Sequence, residues 1–214
     1  MRLKPFLVLL LPLLSTSDPN DSQAQLQLGD RGVLRGFYRR GHAVFRGIPF
    51  AAPPTGARRF APPQRWNGEL GGRSAWRDGA VCPGSPPTKG DGGVLRRESE
   101  DCLYLEVWLP RQHAESHTEG EGGSLPIMVW LGHGDFDDPN SSLGKAATEA
   151  LLGSDRGPTG EAVSAAGQMW IHCNWRRGVL GFMAHPDATA EHPSAPTNFG
   201  LLDQRSHAVF DSPA

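Results

Sequence analysis

From Val129 to Asp138 the chain reads VWLGHGDFDD. The apolar run Ile127 to Leu131 breaks at once into Gly132, His133, Gly134 and Asp135. A buried strand that runs into glycines predicts a tight turn, since glycine takes positive φ without a Cβ penalty. Strand-to-turn junctions of this kind build catalytic and anion-binding sites, because their backbone N–H groups can face developing negative charge.

Other residues could do chemistry too. His113 and His117 stand four apart beside Glu115 and Glu119, a spacing that on a helix would face one metal ion. The surrounding RQHAESHTEGEGGS is polar and glycine-rich, so a solvated loop is expected there and no metal site. Cys173 lies in the apolar stretch QMWIHCNW, which reads as a buried inert thiol rather than a nucleophile. His172 in the same stretch reads as a hydrogen-bonded core residue. Zinc is disfavoured by the lack of any Cys-x-x-Cys, and no cofactor is expected.

These residues need elements to hold them. Val33 to Tyr38 and Ala43 to Ile48 read as strands around the hairpin-like RRGH. The prolines of AAPPTGARRFAPPQRW exclude regular structure, while its apolar residues predict a packed irregular segment. CLYLEVWLP, from Cys102 to Pro110, alternates as a strand does. LPIMVWL and QMWIHCNW are near-continuous apolar runs, expected as strands covered on both faces of a parallel sheet. A short helix is predicted from Leu143 to Leu152, ended by Gly153. Strand, helix and strand in that order predict a right-handed crossover within an α/β architecture, with antiparallel strands at its N-terminal edge.

The 214 residues suffice for one domain with a real core. With 21 Lys+Arg against 23 Asp+Glu and a net charge of -2, no global field for nucleic acid or anionic membrane exists. Arg2 and Lys4, the apolar run Pro5 to Leu14, and Ser15 and Ser17 have the order of a secretory signal peptide over residues 1–17. That apolar run is too short to span a bilayer. A secreted or secretory-pathway chain is therefore expected, with glycosylation acceptors at Asn20 and Asn140. In such a compartment Cys82 and Cys102 could close a loop stabilising by roughly 3 kcal/mol on the chain-entropy model.

At Glu100 to Trp108, EDCLYLEVW, the sequence resembles a signature of the type-B carboxylesterase and cholinesterase family. GIPFAAPPTGARRFAPP (Gly47 to Pro63), NWRRGVLGF (Asn174 to Phe182) and NFGLLDQ (Asn198 to Gln204) agree with that family in the same order. The resemblance implies the N-terminal part of an α/β-hydrolase fold, a mixed sheet incomplete at its C-terminus, with a domain over residues 25–214. It places Cys82 and Cys102 on the family's first disulfide, and Arg59 with Glu100 and Arg176 with Asp203 on structural ion pairs. It also places Gly134 and Asp135 on the oxyanion turn, where the family reads His-Gly-Gly-Gly-Phe and this chain reads Gly132-His133-Gly134-Asp135-Phe136. Asp135 replaces a glycine, so the turn is expected to be degenerate: a carboxylate beside developing negative charge raises the barrier the turn exists to lower.

The family's nucleophile stands on Gly-x-Ser-x-Gly, followed by an acid and a histidine. Gly72-Arg73-Ser74-Ala75-Trp76 and Gly122-Gly123-Ser124-Leu125-Pro126 come nearest, and both lack the closing glycine. The elbow is expected about thirty residues beyond Asp203, past Ala214, so no catalytic residue is assigned. Between Cys82 and Cys102 there is also no choline-binding tryptophan, which weakens a cholinesterase assignment.

The function expected is the N-terminal portion of a secreted carboxylic ester hydrolase, inactive as this chain, whose complete fold would take a small-molecule ester. The alternatives are a non-catalytic recognition protein, as neuroligins are in this family, or a truncated product with no function of its own. Without the elbow strand the sheet is expected to expose an apolar edge, where a protein partner could pair.

Overall fold

The computed structural model describes residues 23–27, 32–68, 72–84, 95–115, 125–131, 159–193 and 197–210. Residues 1–17, Asn20 and Asn140, the helix expected from Leu143 to Leu152 and the turn expected at Gly134 and Asp135 lie outside the described residues. Among the described residues six strands, β1 (Gln23–Gln27), β2 (Val33–Arg39), β3 (His42–Pro49), β4 (Tyr104–Pro110), β5 (Ile127–Trp130) and β6 (Met169–Cys173), form one sheet. Their order is β1-β2-β3-β4-β6-β5, antiparallel throughout except for the parallel pair β5 and β6.

The hairpin forms where RRGH predicted it. Arg39 pairs His42, and the two residues between them, Arg40 at φ 48 and Gly41 at φ 84, are both left-handed. Two positive φ values in a two-residue loop match the right-handed twist of the flanking strands. The irregular segment after β3 packs as predicted: Phe50, Ala51 and Ala61 are buried, and a single 3-10 turn covers Gly56–Arg58.

Register explains the core. Phe45, Val107 and Ile171 lie opposite one another across β3, β4 and β6, and all three are buried in the larger apolar cluster. The neighbouring row, Val44, Trp108 and Trp170, faces the other side and is covered by Val163. Successive residues point to opposite faces, so a strand buried on both sides needs consecutive apolar residues; β3, with seven of its eight positions buried, has them.

Val163 comes from α2 (Gly160–Ala165), which packs across β4, β6 and β3. Thr159 caps it, its Oγ1 accepting from the Ala162 N–H at 3.2 Å. The helix approaches so closely that a Cβ on Gly160 would lie 2.5 Å from the Trp108 ring. Only a residue without a side chain permits that contact.

Two expectations are corrected. The segment after β4 is not wholly loop: Arg111–Glu115 forms a one-turn helix, α1, with Ala114 buried. A buried alanine gives the turn something to pack on, which the polar composition concealed. And β5 is not covered on both faces: Ile127, Met128 and Val129 are 52%, 37% and 41% exposed. Among the described residues β5 pairs β6 alone, so it is the edge of the sheet.

Gly160→Val should destabilise the fold by about 1–3 kcal/mol, because the added carbons meet the indole of Trp108 and overpack the contact. Glu161→Ala, which removes an exposed contact to Arg40, should stay within about 0.5 kcal/mol. Urea denaturation followed by tryptophan fluorescence measures both.

Candidate functional site

Four consecutive residues leave the carboxyl end of β6, and the first three each tie a different part of the chain to it. Asn174 donates from Nδ2 to the carbonyls of Ala80 (2.8 Å) and Cys102 (3.0 Å). Trp175 donates from Nε1 to the Leu131 carbonyl at 2.8 Å. That bond fixes the exit of β5, the last described position before Gly132. Arg176 reaches α5 (Phe199–Phe210), which follows the short helices α3 (Gly178–Phe182) and α4 (Pro186–Glu191), and Arg177 lies over the Trp175 ring at 4.3 Å.

The Arg176 contact is a buried charge pair with every geometric advantage. Its Nη2 and Nε donate to the two oxygens of Asp203 at 2.7 and 2.8 Å, its backbone N–H adds a third bond at 3.0 Å, and Nη1 donates to the Ala61 carbonyl at 2.8 Å. Side-chain exposure is 3% for Arg176 and 0% for Asp203. A pair so fully hydrogen-bonded holds strand exit, proline-rich segment and α5 in one arrangement.

Arg59 and Glu100 also form a two-bond fork, both at 2.7 Å, but at 46% and 28% exposure. The Arg59 pKa is raised, first by the hydrogen bond to Glu100 and second by its charge. Solvent screening leaves this pair far weaker than the buried one. Cys82 and Cys102 are joined by a disulfide across a sequence separation of 20. Arg59, Glu100, Cys102, Arg176 and Arg177 line one shallow groove with Pro54 and Leu180. Cys173 is buried in the large cluster. His172 is half-buried and stacks on Trp170 at 5.5 Å between ring centroids.

His113 sits on α1 with Nδ1 buried and no hydrogen-bond partner among the described residues, outside which His117 and Glu119 lie. Among the described residues no three metal-capable side chains meet. One serine–histidine pair was not legible in the sequence: Ser164 Oγ lies 2.8 Å from His42 Nδ1, across 122 residues of chain. The spacing resembles a nucleophile and base. Ser164 is 1% exposed, however, so no ester reaches its hydroxyl; the pair docks α2 on β3.

Asp203→Ala leaves Arg176 charged and buried and should cost about 3–5 kcal/mol, most of it recovered in the double variant Arg176→Met/Asp203→Leu. Glu100→Gln should lower the urea midpoint by much less, and that difference should vanish in about 1 M salt. Denaturation curves for the three variants at low and high salt decide it.

The comparisons with known proteins fit this scaffold. The profile of the Carboxylesterase family matches residues 20–207. Fumonisin B1 esterase of Sphingopyxis macrogoltabida is 39% identical over 164 residues, covering 75% of this chain and 26% of that protein. Pyrethroid hydrolase Ces2a of Mus musculus is 34% identical over 211 residues, covering 91% of this chain and 33% of its own length. Among solved structures, a thermophilic PNB esterase superposes with a TM-score of 0.60 at 28% identity, over 88% of this chain and 35% of that one. The chain thus spans about a third or less of the relatives it matches, and its mixed sheet is part of an α/β-hydrolase fold. No helix among the described residues is long and apolar enough to cross a membrane. The four motifs that converge on the exit of β6, together with these matches, show that the chain belongs to the carboxylesterase family.

Proposed function

We propose that this chain is the N-terminal scaffold of a secreted carboxylic ester hydrolase and that the 214-residue polypeptide does not itself turn over esters. The observation carrying the first half is the Trp175 bond to Leu131, which fixes the strand end from which Gly132 to Phe136 depart. By resemblance that turn is the oxyanion turn, with Gly134 as donor and Asp135 in a glycine's place. In a complete enzyme a serine would attack the ester carbonyl, a histidine would take its proton, the alcohol would leave, and water would release the acid.

The second half rests on what the residues lack. No Gly-x-Ser-x-Gly occurs in the 214 residues. Among the described residues the serine–histidine contact of Ser164 with His42 is closed to substrate. Asp135 would add repulsion where one missing donor already costs about 3 kcal/mol.

Secretion belongs to the same proposal. The order of basic, apolar and small residues over 1–17 and the bond between Cys82 and Cys102 support it, with residues 25–214 as the domain and Asn20 and Asn140 as glycan acceptors. A second reading, a non-catalytic recognition protein that pairs through its sheet edge, is favoured by Asp135 and by the exposed apolar residues of β5.

Incubated with a fluorophosphonate probe and a short-chain aryl ester, the purified chain should show neither labelling nor turnover. Covalent modification of one hydroxyl, with matching ester hydrolysis, would refute the inactivity. Expressed in a secreting host, the chain should enter the medium without residues 1–17, and glycosidase treatment should reduce its mass. Retention in the cytosol with an intact N-terminus would remove the secretory part of the reading.

A further inference from the structure

The sequence carries four pairs of adjacent arginines, Arg39-Arg40, Arg58-Arg59, Arg96-Arg97 and Arg176-Arg177. The fold treats them differently. Arg176 and Arg177 are 3% and 9% exposed, closed to any macromolecule. Arg39 ends β2 in register with His42, and Arg40 takes φ 48 inside the two-residue turn, so neither offers the extended backbone a protease groove holds. Arg58 closes the 3-10 turn with Nε on the Pro53 carbonyl at 2.8 Å, and Arg59 is locked in the Glu100 fork. Of the eight, Arg97 alone has an exposed side chain with no hydrogen bond or ion pair among the described residues. Leu95, at 62% exposure, and the exposed Glu98 flank the pair.

The surroundings make a cut after Arg97 accessible and tolerable. One isolated bridge holds the backbone there: the Val81 N–H donates to the Arg97 carbonyl and the Ser99 N–H to the Val81 carbonyl, 3.0 Å each. A protease must open those two bonds, far fewer than a strand ladder would demand, and short pairings of this kind open without global unfolding. Arg96 must also leave the Gly79 carbonyl, which accepts from its Nε and Nη2 at 3.2 and 2.7 Å. A carbonyl is a weaker partner than the carboxylates of a pocket built for basic residues. The cut falls within the loop closed by Cys82 and Cys102, so the two pieces stay covalently joined. It separates β1, β2 and β3 from β4, β5 and β6, yet β3 and β4 remain paired at six registered positions. The Arg59 fork, the Asn174 bond to Ala80 and the Arg176 bond to Ala61 also cross it.

We propose that the Arg97–Glu98 peptide bond is a processing site for an endoprotease specific for paired basic residues, and that its product is a two-chain protein held by the Cys82–Cys102 disulfide. Hydrolysis breaks the C–N bond; water gives its hydroxyl to the Arg97 carbonyl carbon and a hydrogen to the Glu98 nitrogen. The site is separate from ester hydrolysis. In a cell it rests on the secretory part of the proposed function, since such proteases act along that route, while the purified chain tests the site itself.

The test is incubation of the folded 214-residue chain, disulfide intact, with a subtilisin-like endoprotease that cleaves after paired basic residues, with Arg97→Gln alongside. The wild-type chain should gain the mass of one water and stay one species until reduced. Reduction should then release one piece ending at Arg97 and another beginning at Glu98. Arg97→Gln should be cut there at least about 100-fold more slowly, because the pocket loses the charge it is built to pair. Once reduced and alkylated, the variant should still be cut after Arg40, Arg59 and Arg177, which shows that the fold protects those pairs. A folded wild-type chain that stays intact, or is cut first at another pair, would overturn the assignment. So would pieces that separate without reduction, or an Arg97→Gln chain cut at the wild-type rate. A chain retained in the cytosol yet nicked after Arg97 once purified would remove the secretory reading and leave the site standing.

Discussion

A buried guanidinium held by a buried carboxylate governs this structure. Neither Arg176 nor Asp203 could stay in the interior alone, since an uncompensated charge there costs several kcal/mol, and their pairing stabilises only if every donor finds an acceptor. Each of the three guanidinium nitrogens of Arg176 donates to an acceptor, and both oxygens of Asp203 accept. The requirement explains why segments far apart in sequence must close together: Ala61, Arg176 and Asp203 cannot move independently without exposing a charge to the core. Asn174 and Trp175 extend the constraint to Cys102 and Leu131, so the geometry of the strand ends follows from the electrostatics of one pair.

Strand register supplies the other half of the stability. The Phe45, Val107, Ile171 row and the Val44, Trp108, Trp170 row bury opposite faces of the same three strands, and a one-residue slip would exchange them. The polar side chains near these rows answer to one another. Arg46 donates to Glu106 at 2.9 Å and lies over the rings of Phe37 and Trp108, while the Trp108 N–H is bonded to the same carboxylate. A charge on a sheet face is tolerated there because its partners are rigid.

What the sequence disclosed follows from the range of the interactions involved. RRGH betrays its hairpin because the signal is local, two residues that must take positive φ. Cys102 to Pro110 betrays its strand by alternation, and the packing of Phe50, Ala51 and Ala61 by apolar residues among prolines. The α1 turn was hidden because one buried alanine decides it against a polar background. His42 and Ser164 were hidden for a different reason: nothing local marks residues 122 apart as neighbours, and only the docking of α2 brings them to 2.8 Å. The exposure of β5 was half visible. Its apolar run predicted burial on both faces, yet burial belongs to neighbours rather than to the strand, and among the described residues β5 has one.

The contrast between Arg176 and Arg177 shows how little composition says about a site. They are adjacent, both cationic and both buried, and the backbone places them on opposite duties. Arg176 turns inward, giving three bonds to the Asp203 carboxylate and one to the Ala61 carbonyl, so its charge contributes to cohesion. Arg177 turns onto an indole, whose quadrupole offsets only part of the hydration it has lost; a cation–π contact is worth about 0.5–2 kcal/mol, well below what a paired carboxylate returns.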